Sequence, residues 1–139
     1  MLFGKKAKVE HNRYYFKLCA KHINMNKVRL CDYIFFPGGA QISAFVNFEK
    51  PIIYYTDATF HIMIDYYWHG LSSWLITQGE HYEKEAIKNA FINIRSSQWA
   101  AASVITITMG VSREIMFLSL EQTLMTRIFC MLLLIKVEL

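Results

Sequence analysis

Three short apolar runs constrain this chain most. VRLCDYIFF spans Val28 to Phe36, PIIYYTD spans Pro51 to Asp57 and FINIRSS spans Phe91 to Ser97. Each is rich in aromatic and β-branched residues, and each stops at turn-forming or small polar residues, so each reads as a strand. They lie about 20–40 residues apart, with helical stretches between them. Strands so spaced form βαβ units and a parallel sheet. The runs are continuous rather than alternating, which predicts strands covered on both faces. The expected class is α/β with a Rossmann-like parallel sheet.

The intervening segments fit that order. Residues 8–23 read as a helix, with Lys17 and Lys21 four apart on one face. Pro37-Gly38-Gly39 ends the first strand, and Ala40 to Phe48 suits a short helix. Glu49-Lys50-Pro51 breaks that helix, because a residue before proline is pushed out of the α region. ATFHIMIDYYW after Asp57 mixes helical with strand-favouring residues. Gly70 to Ser73 reads as a turn or a helix start. Gly79 to Ala90 is the clearest helix, with Glu80 and Lys84 as an i, i+4 pair and Tyr82, Ala86 and Ala90 on one stripe. Gln98 to Ile105 reads as a helix leaving the third strand.

Charge and cysteine content narrow the function classes. Residues 1–30 carry eight lysines and arginines against Glu10 alone, so the rest of the chain is net negative. Such a basic front can meet phosphates or an anionic membrane surface, although a solvated lysine-rich helix face is the favoured reading. No nucleic-acid-binding motif accompanies it. Cys19, Cys31 and Cys130 are few, odd in number and widely spaced, which predicts free thiols rather than a disulfide framework or a zinc site. His61, His69 and His81 lack ligand spacing and are expected to be structural. The longest strongly apolar run, Ile128 to Ile135, falls far short of the ~20 residues of a membrane span. The charged start is unlike a signal peptide. The expected location is cytoplasmic, with a peripheral membrane contact through the basic helix as an alternative.

Ligands of open parallel sheets bind outside the carboxyl ends of the strands. Pro37-Gly38-Gly39, Thr56-Asp57-Ala58-Thr59 and Ser96-Ser97 fall there. Asp57 ranks first, because a carboxylate at that place can accept or orient a hydroxyl proton. Helix N-capping explains it as well. Gly38 and Gly39 can bring backbone N–H groups close to a ligand, or can simply make a turn. Thr59, Ser96 and Ser97 are further candidates to line the cleft, although the serines also suit helix capping. Asp65, Tyr66 and Tyr67 are read as a ligand-facing wall or as packing.

The same segments carry a family resemblance. DYIFFPGG (Asp32 to Gly39), KPIIYYTDATF (Lys50 to Phe60) and SSQWAAAS (Ser96 to Ser103) resemble, in this order, the family 4 (group 1) glycosyltransferases. The resemblance covers roughly residues 28–105. It implies the N-terminal, acceptor-side half of a GT-B fold, with a nucleotide-sugar donor and a glycan or lipid-linked acceptor. It implies no metal and no cofactor beyond that donor. It places Asp57 near the acceptor as the catalytic candidate, with Gly38, Gly39, Thr59, Tyr66, Ser96 and Ser97 around the cleft.

The resemblance ends near Thr106. Residues 106–139 are expected to be a poorly structured tail, and residues 1–105 a partial domain whose start looks internal. A shift of reading frame between roughly Ala101 and Thr106 would account for the tail: the codons around Glu121 to Thr126 permit Gly-Ala-Asn-Val-Asp-Asp, and those around Thr106 to Met109 permit Asp-Tyr-Tyr-Gly. The expectation is a glycosyltransferase fragment, inactive alone because the donor half is missing. The alternative is a small non-catalytic α/β module that binds a partner or a membrane surface.

Overall fold

The computed structural model describes residues 12–64 and 66–108, and the backbone of residues 115–117. The chain is a mixed α/β fold around a small parallel sheet. Helix α1 (Arg13–Lys21) and the short α2 (Met25–Arg29) precede strand β1 (Ile34–Pro37). A 3₁₀ helix (Ala40–Ala44) leads to β2 (Ile52–Thr56). Helices α3 (Phe60–Met63) and α4 (Ser73–Asn89) lead to β3 (Ile92–Arg95), and α5 (Gln98–Thr108) leads to β4 (Ile115–Phe117).

Side chains start these helices by accepting N–H groups that have no partner inside the helix. Asn12 accepts from Tyr15, Asn24 from Asn26 and Lys27, Thr59 from Ile62, and Ser72 from Leu75. Ser97 does the same for Ala100 at 3.1 Å. The expected first strand is cut short at its start, because Asn24 caps a helical turn that takes in Val28 and Arg29. The helix expected from Gly79 starts six residues earlier, at Ser73, within the segment read as a turn or a helix start. The helix expected to end at Ile105 continues to Thr108. The expected pairing of Glu80 with Lys84 is replaced by a contact between Glu80 and His61 at 2.7 Å, so His61 does have a carboxylate partner.

The strand order is β1-β2-β3-β4, with every neighbouring pair parallel. Each crossover therefore steps the same way across the sheet. Right-handed crossovers that all step one way lay their helices on one face. The register agrees. Ile34 and Ile52 share a row, as do Phe36, Tyr54 and Asn93, and as do Thr56 and Arg95. Ile52, Tyr54, Asn93 and Arg95 are buried on this face, whereas Ile53, Tyr55, Ile92 and Ile94 on the other face are only half-buried. The two-sided covering expected from the apolar runs is thus not seen among the described residues.

The core lies between the buried face and the helices. Phe48, Ile52 and Tyr54 meet Ala40 of the 3₁₀ helix, Ala86, Ile87 and Ala90 at the end of α4, and Val104 of α5. In α4 the buried residues are Leu75, Gly79, Glu83, Ala86 and Ile87, a helical stripe facing the sheet. Gly79 belongs to it for a steric reason: a Cβ there would overlap the Phe60 ring. Tail residues 118–139, and with them the Glu121 to Thr126 segment, lie outside the described residues. Ile115–Phe117 pairs with β3 as a fourth strand.

Candidate ligand-binding cleft at the strand ends

The carboxyl ends of β1 and β2 open into a cleft of about 350 Å³. Gly38 and Gly39, just after β1, form one side. Both have left-handed backbones, with φ of 84° and 69°, which glycine adopts without strain. The Gly38 N–H donates to the Tyr55 carbonyl at 2.8 Å, which fixes the turn to the neighbouring strand. Thr56 and Ala58 come from the end of β2, and Gln41 and Ile42 from the 3₁₀ helix. Phe60, Trp68 and, from α1, Phe16 and Cys19 close the walls. Phe60 and Trp68 pack with ring centroids 4.9 Å apart.

The floor of the cleft is polar and buried. Tyr54 is 2% exposed and Glu83 is 1% exposed, and both line it. The Tyr54 hydroxyl donates to Glu83 Oε1 at 3.4 Å. The Phe60 N–H donates to Glu83 Oε2, so α4 holds the start of α3 through this carboxylate. Behind Tyr54 lies Arg95, fully buried, with its guanidinium carbon 4.6 Å from the ring centroid. Arg95 donates to the Ile94 carbonyl at 3.3 Å and to Asn93 Oδ1 at 3.5 Å, while its Nε finds no partner among the described residues.

Burial dominates the electrostatics here. It raises the Glu83 carboxyl to about 7, against the opposing pull of the Phe60 N–H, Arg95 and the Tyr54 hydroxyl. Burial, aided by the Glu83 charge, pushes the Tyr54 hydroxyl well above its ordinary value. Burial also lowers Arg95. A carboxyl group that changes charge near neutrality beside a hydroxyl suits recognition of a ligand hydroxyl or transfer of its proton. Among the described residues, no group of three or more His, Cys, Asp or Glu is placed to hold a metal ion.

The expected site residues divide. Gly38 and Gly39 line the cleft. Asp57 is exposed at the end of β2, with Oδ1 3.4 Å from the Thr56 hydroxyl, beside the cleft rather than in its lining. Thr59 is fully buried. It caps α3 and bonds the Ser103 hydroxyl at 2.8 Å, tying α3 to α5. Ser97 caps α5, and Ser96 is half-buried beside it. Tyr66 is exposed, with its ring 4.7 Å from Tyr67 and 6.2 Å from Trp99. Asp65 lies outside the described residues. Sequence reasoning missed Tyr54, Glu83 and Arg95. The available signal was spacing: Leu75, Gly79 and Glu83 are four apart, which puts Glu83 on the buried stripe once α4 is extended back to Ser72.

A second groove of about 480 Å³ lies between α1 and Phe45–Val46, with Tyr14, Leu18, Lys17 and Lys21 on its walls. It is larger, but none of its described lining residues sits at a strand end or is a buried ionisable group. No helix among the described residues is long and apolar enough to cross a membrane. No protein-family model, curated protein or solved structure matches the chain.

Proposed function

We propose that the chain is the acceptor-side part of a glycosyltransferase, which moves a sugar from a nucleotide-sugar donor to an acceptor hydroxyl. In this reading the sheet is the N-terminal Rossmann-like half of a GT-B fold. One observation carries it: two of the segments that bear the family resemblance converge on a single cleft with a buried polar floor. Gly38 and Gly39 come from the first segment, and Tyr54, Thr56, Ala58 and Phe60 from the second. The cleft lies where open parallel sheets bind ligands. Asp57 at its edge is the proposed acceptor of the hydroxyl proton, and Glu83 and Tyr54 orient the ligand from below. Catalysis also needs contacts to the departing nucleotide. The chain alone therefore binds an acceptor without turning it over.

Amide chemical-shift mapping of the chain against a panel of alkyl hexosides tests this. Shifts concentrated at Gly38, Gly39 and Thr56, with none from a nucleotide sugar alone, are expected. A panel that leaves those amides unmoved at millimolar concentrations removes the reading. The groove on α1 supports a second one, contact with an anionic membrane surface: Tyr14 and Leu18 are exposed beside Lys17 and Lys21. Flotation with anionic vesicles, lost in a Lys17→Glu/Lys21→Glu variant, is the outcome that favours it.

A further inference from the structure

The Glu83 carboxyl has two unlike partners. Its Oε2 accepts the Phe60 N–H, and its Oε1 faces the Tyr54 hydroxyl at 3.4 Å. A backbone N–H can only donate, so Oε2 is an acceptor in either charge state. A proton taken up by Glu83 therefore settles on Oε1, the oxygen that faces Tyr54. The tyrosine hydroxyl has one hydrogen to give and lone pairs to receive. While Glu83 is ionised, that hydrogen points at Oε1 and a lone pair of Tyr54 is left for the cleft. Once Oε1 carries a proton, it donates to the Tyr54 oxygen, and the tyrosine hydrogen swings to the other side of the ring.

We propose that Tyr54 and Glu83 form a reversible donor–acceptor pair, in which one proton from solvent turns the Tyr54 hydroxyl from an acceptor toward the cleft ligand into a donor toward it. This rests on the cleft being the ligand site. The ionised pair receives a ligand hydroxyl as donor, the polarity a sugar acceptor needs before it gives up its proton. The protonated pair favours a ligand ether, carbonyl or phosphate oxygen. No bond other than O–H is made or broken, and Tyr54 stays neutral throughout.

The surrounding groups tune the pair. Arg95 on β3 and His61 on α3 favour the ionised carboxylate, while Asp57 after β2 opposes ionisation of Tyr54. Cys19 of α1 also faces the cleft. The 3₁₀ helix and α5 carry no ionisable side chain. Burial outweighs the stabilising groups and holds the Glu83 titration at about 7.

Carbon NMR of the chain labelled at glutamate Cδ and tyrosine Cζ tests the pair without any ligand. The Glu83 and Tyr54 signals are expected to move together with one midpoint near 7, and Glu83→Gln is expected to leave Tyr54 flat from about pH 5 to 9. A flat Tyr54 signal in the unmodified chain while Glu83 titrates overturns the proposal. So does a Glu83 midpoint in the ordinary carboxylate range. If the glutamine variant does not fold, the unmodified titration still decides. Failure of the hexosides to bind counts against the proposed function and leaves this readout intact.

Discussion

Raising the pH from acid to neutral should destabilise this chain through Glu83. Its carboxyl is 1% exposed and raised by burial from the ordinary 4.5 to about 7. The folded chain therefore holds a proton that the unfolded chain releases between those values. A folded-state pKa above the unfolded one contributes stability that is complete below 4.5, lost as the pH climbs toward 7 and constant above it. At ~1.36 kcal/mol per tenfold step in proton affinity, the loss is about 3 kcal/mol. That is a large share of a typical total stability of ~5–15 kcal/mol.

Glu83→Gln isolates this group. The amide oxygen can accept the Phe60 N–H and the amide NH₂ can donate to the Tyr54 oxygen, which imitates the protonated acid. Urea unfolding of both chains at several pH values is the assay. The two should be similarly stable near pH 4.5, and the variant should be the more stable near pH 8 by about 3 kcal/mol, or about 1–3 M in urea midpoint. Taking the difference between the two curves cancels the histidines and every other carboxylate. A difference that stays constant across this range, or favours the unmodified chain at high pH, refutes burial as the dominant influence on Glu83. The Phe60 N–H bond and the attraction to Arg95 would then outweigh it.

Three other perturbations follow from packing and site geometry. Gly79→Ala gains ~1 kcal/mol of helix propensity but drives a methyl into the Phe60 ring; a net loss of about 1–2 kcal/mol is expected, read as a lower Tm, and a raised Tm contradicts the overlap. Thr59→Val removes the cap of α3 and the 2.8 Å bond to Ser103; a loss of about 1–3 kcal/mol by chemical unfolding is expected, with little change if the tie between α3 and α5 is unimportant. If the chain is part of a glycosyltransferase as proposed, Asp57→Asn in the active enzyme should cut sugar transfer by about 10²–10⁴-fold; near-normal turnover excludes Asp57 as the acceptor of the hydroxyl proton.

The fold was legible where the sequence punctuates itself. Pro37-Gly38-Gly39 ends β1 as expected, because two left-handed glycines follow it. Pro51 precedes β2, and Ser97 caps α5. Boundaries set by capping were harder to see. Asn24 nucleates a turn inside a run that otherwise reads as strand, and Ser72 starts α4 well before its charged half. The covering of the sheet was misread for a topological reason. Continuous apolar strands suggest helices on both faces, but the order β1-β2-β3-β4 sends every crossover the same way.

The candidate site was legible only at its rim, and the same physics explains why. Loop residues at strand ends announce themselves by type, as Gly38, Gly39 and Asp57 do. The floor is made by side chains that reach the cleft from inside regular elements, and their positions look ordinary: a tyrosine in a strand and a glutamate in a charged helix. What distinguishes Glu83 is the company it keeps at four-residue spacing, Leu75 and Gly79, and that is visible only once the helix start is known. Among the described residues, the cleft lining nevertheless runs from Tyr15 to Glu83. The sheet grows away from it, with β4 two strands beyond β2. A change of reading frame between roughly Ala101 and Thr106 would thus alter the far side of the sheet and leave the described lining of the cleft in place. Under the proposed function, ligand binding at Gly38, Gly39 and Tyr54 is therefore expected of this chain as it stands, and a binding measurement alone tests the cleft.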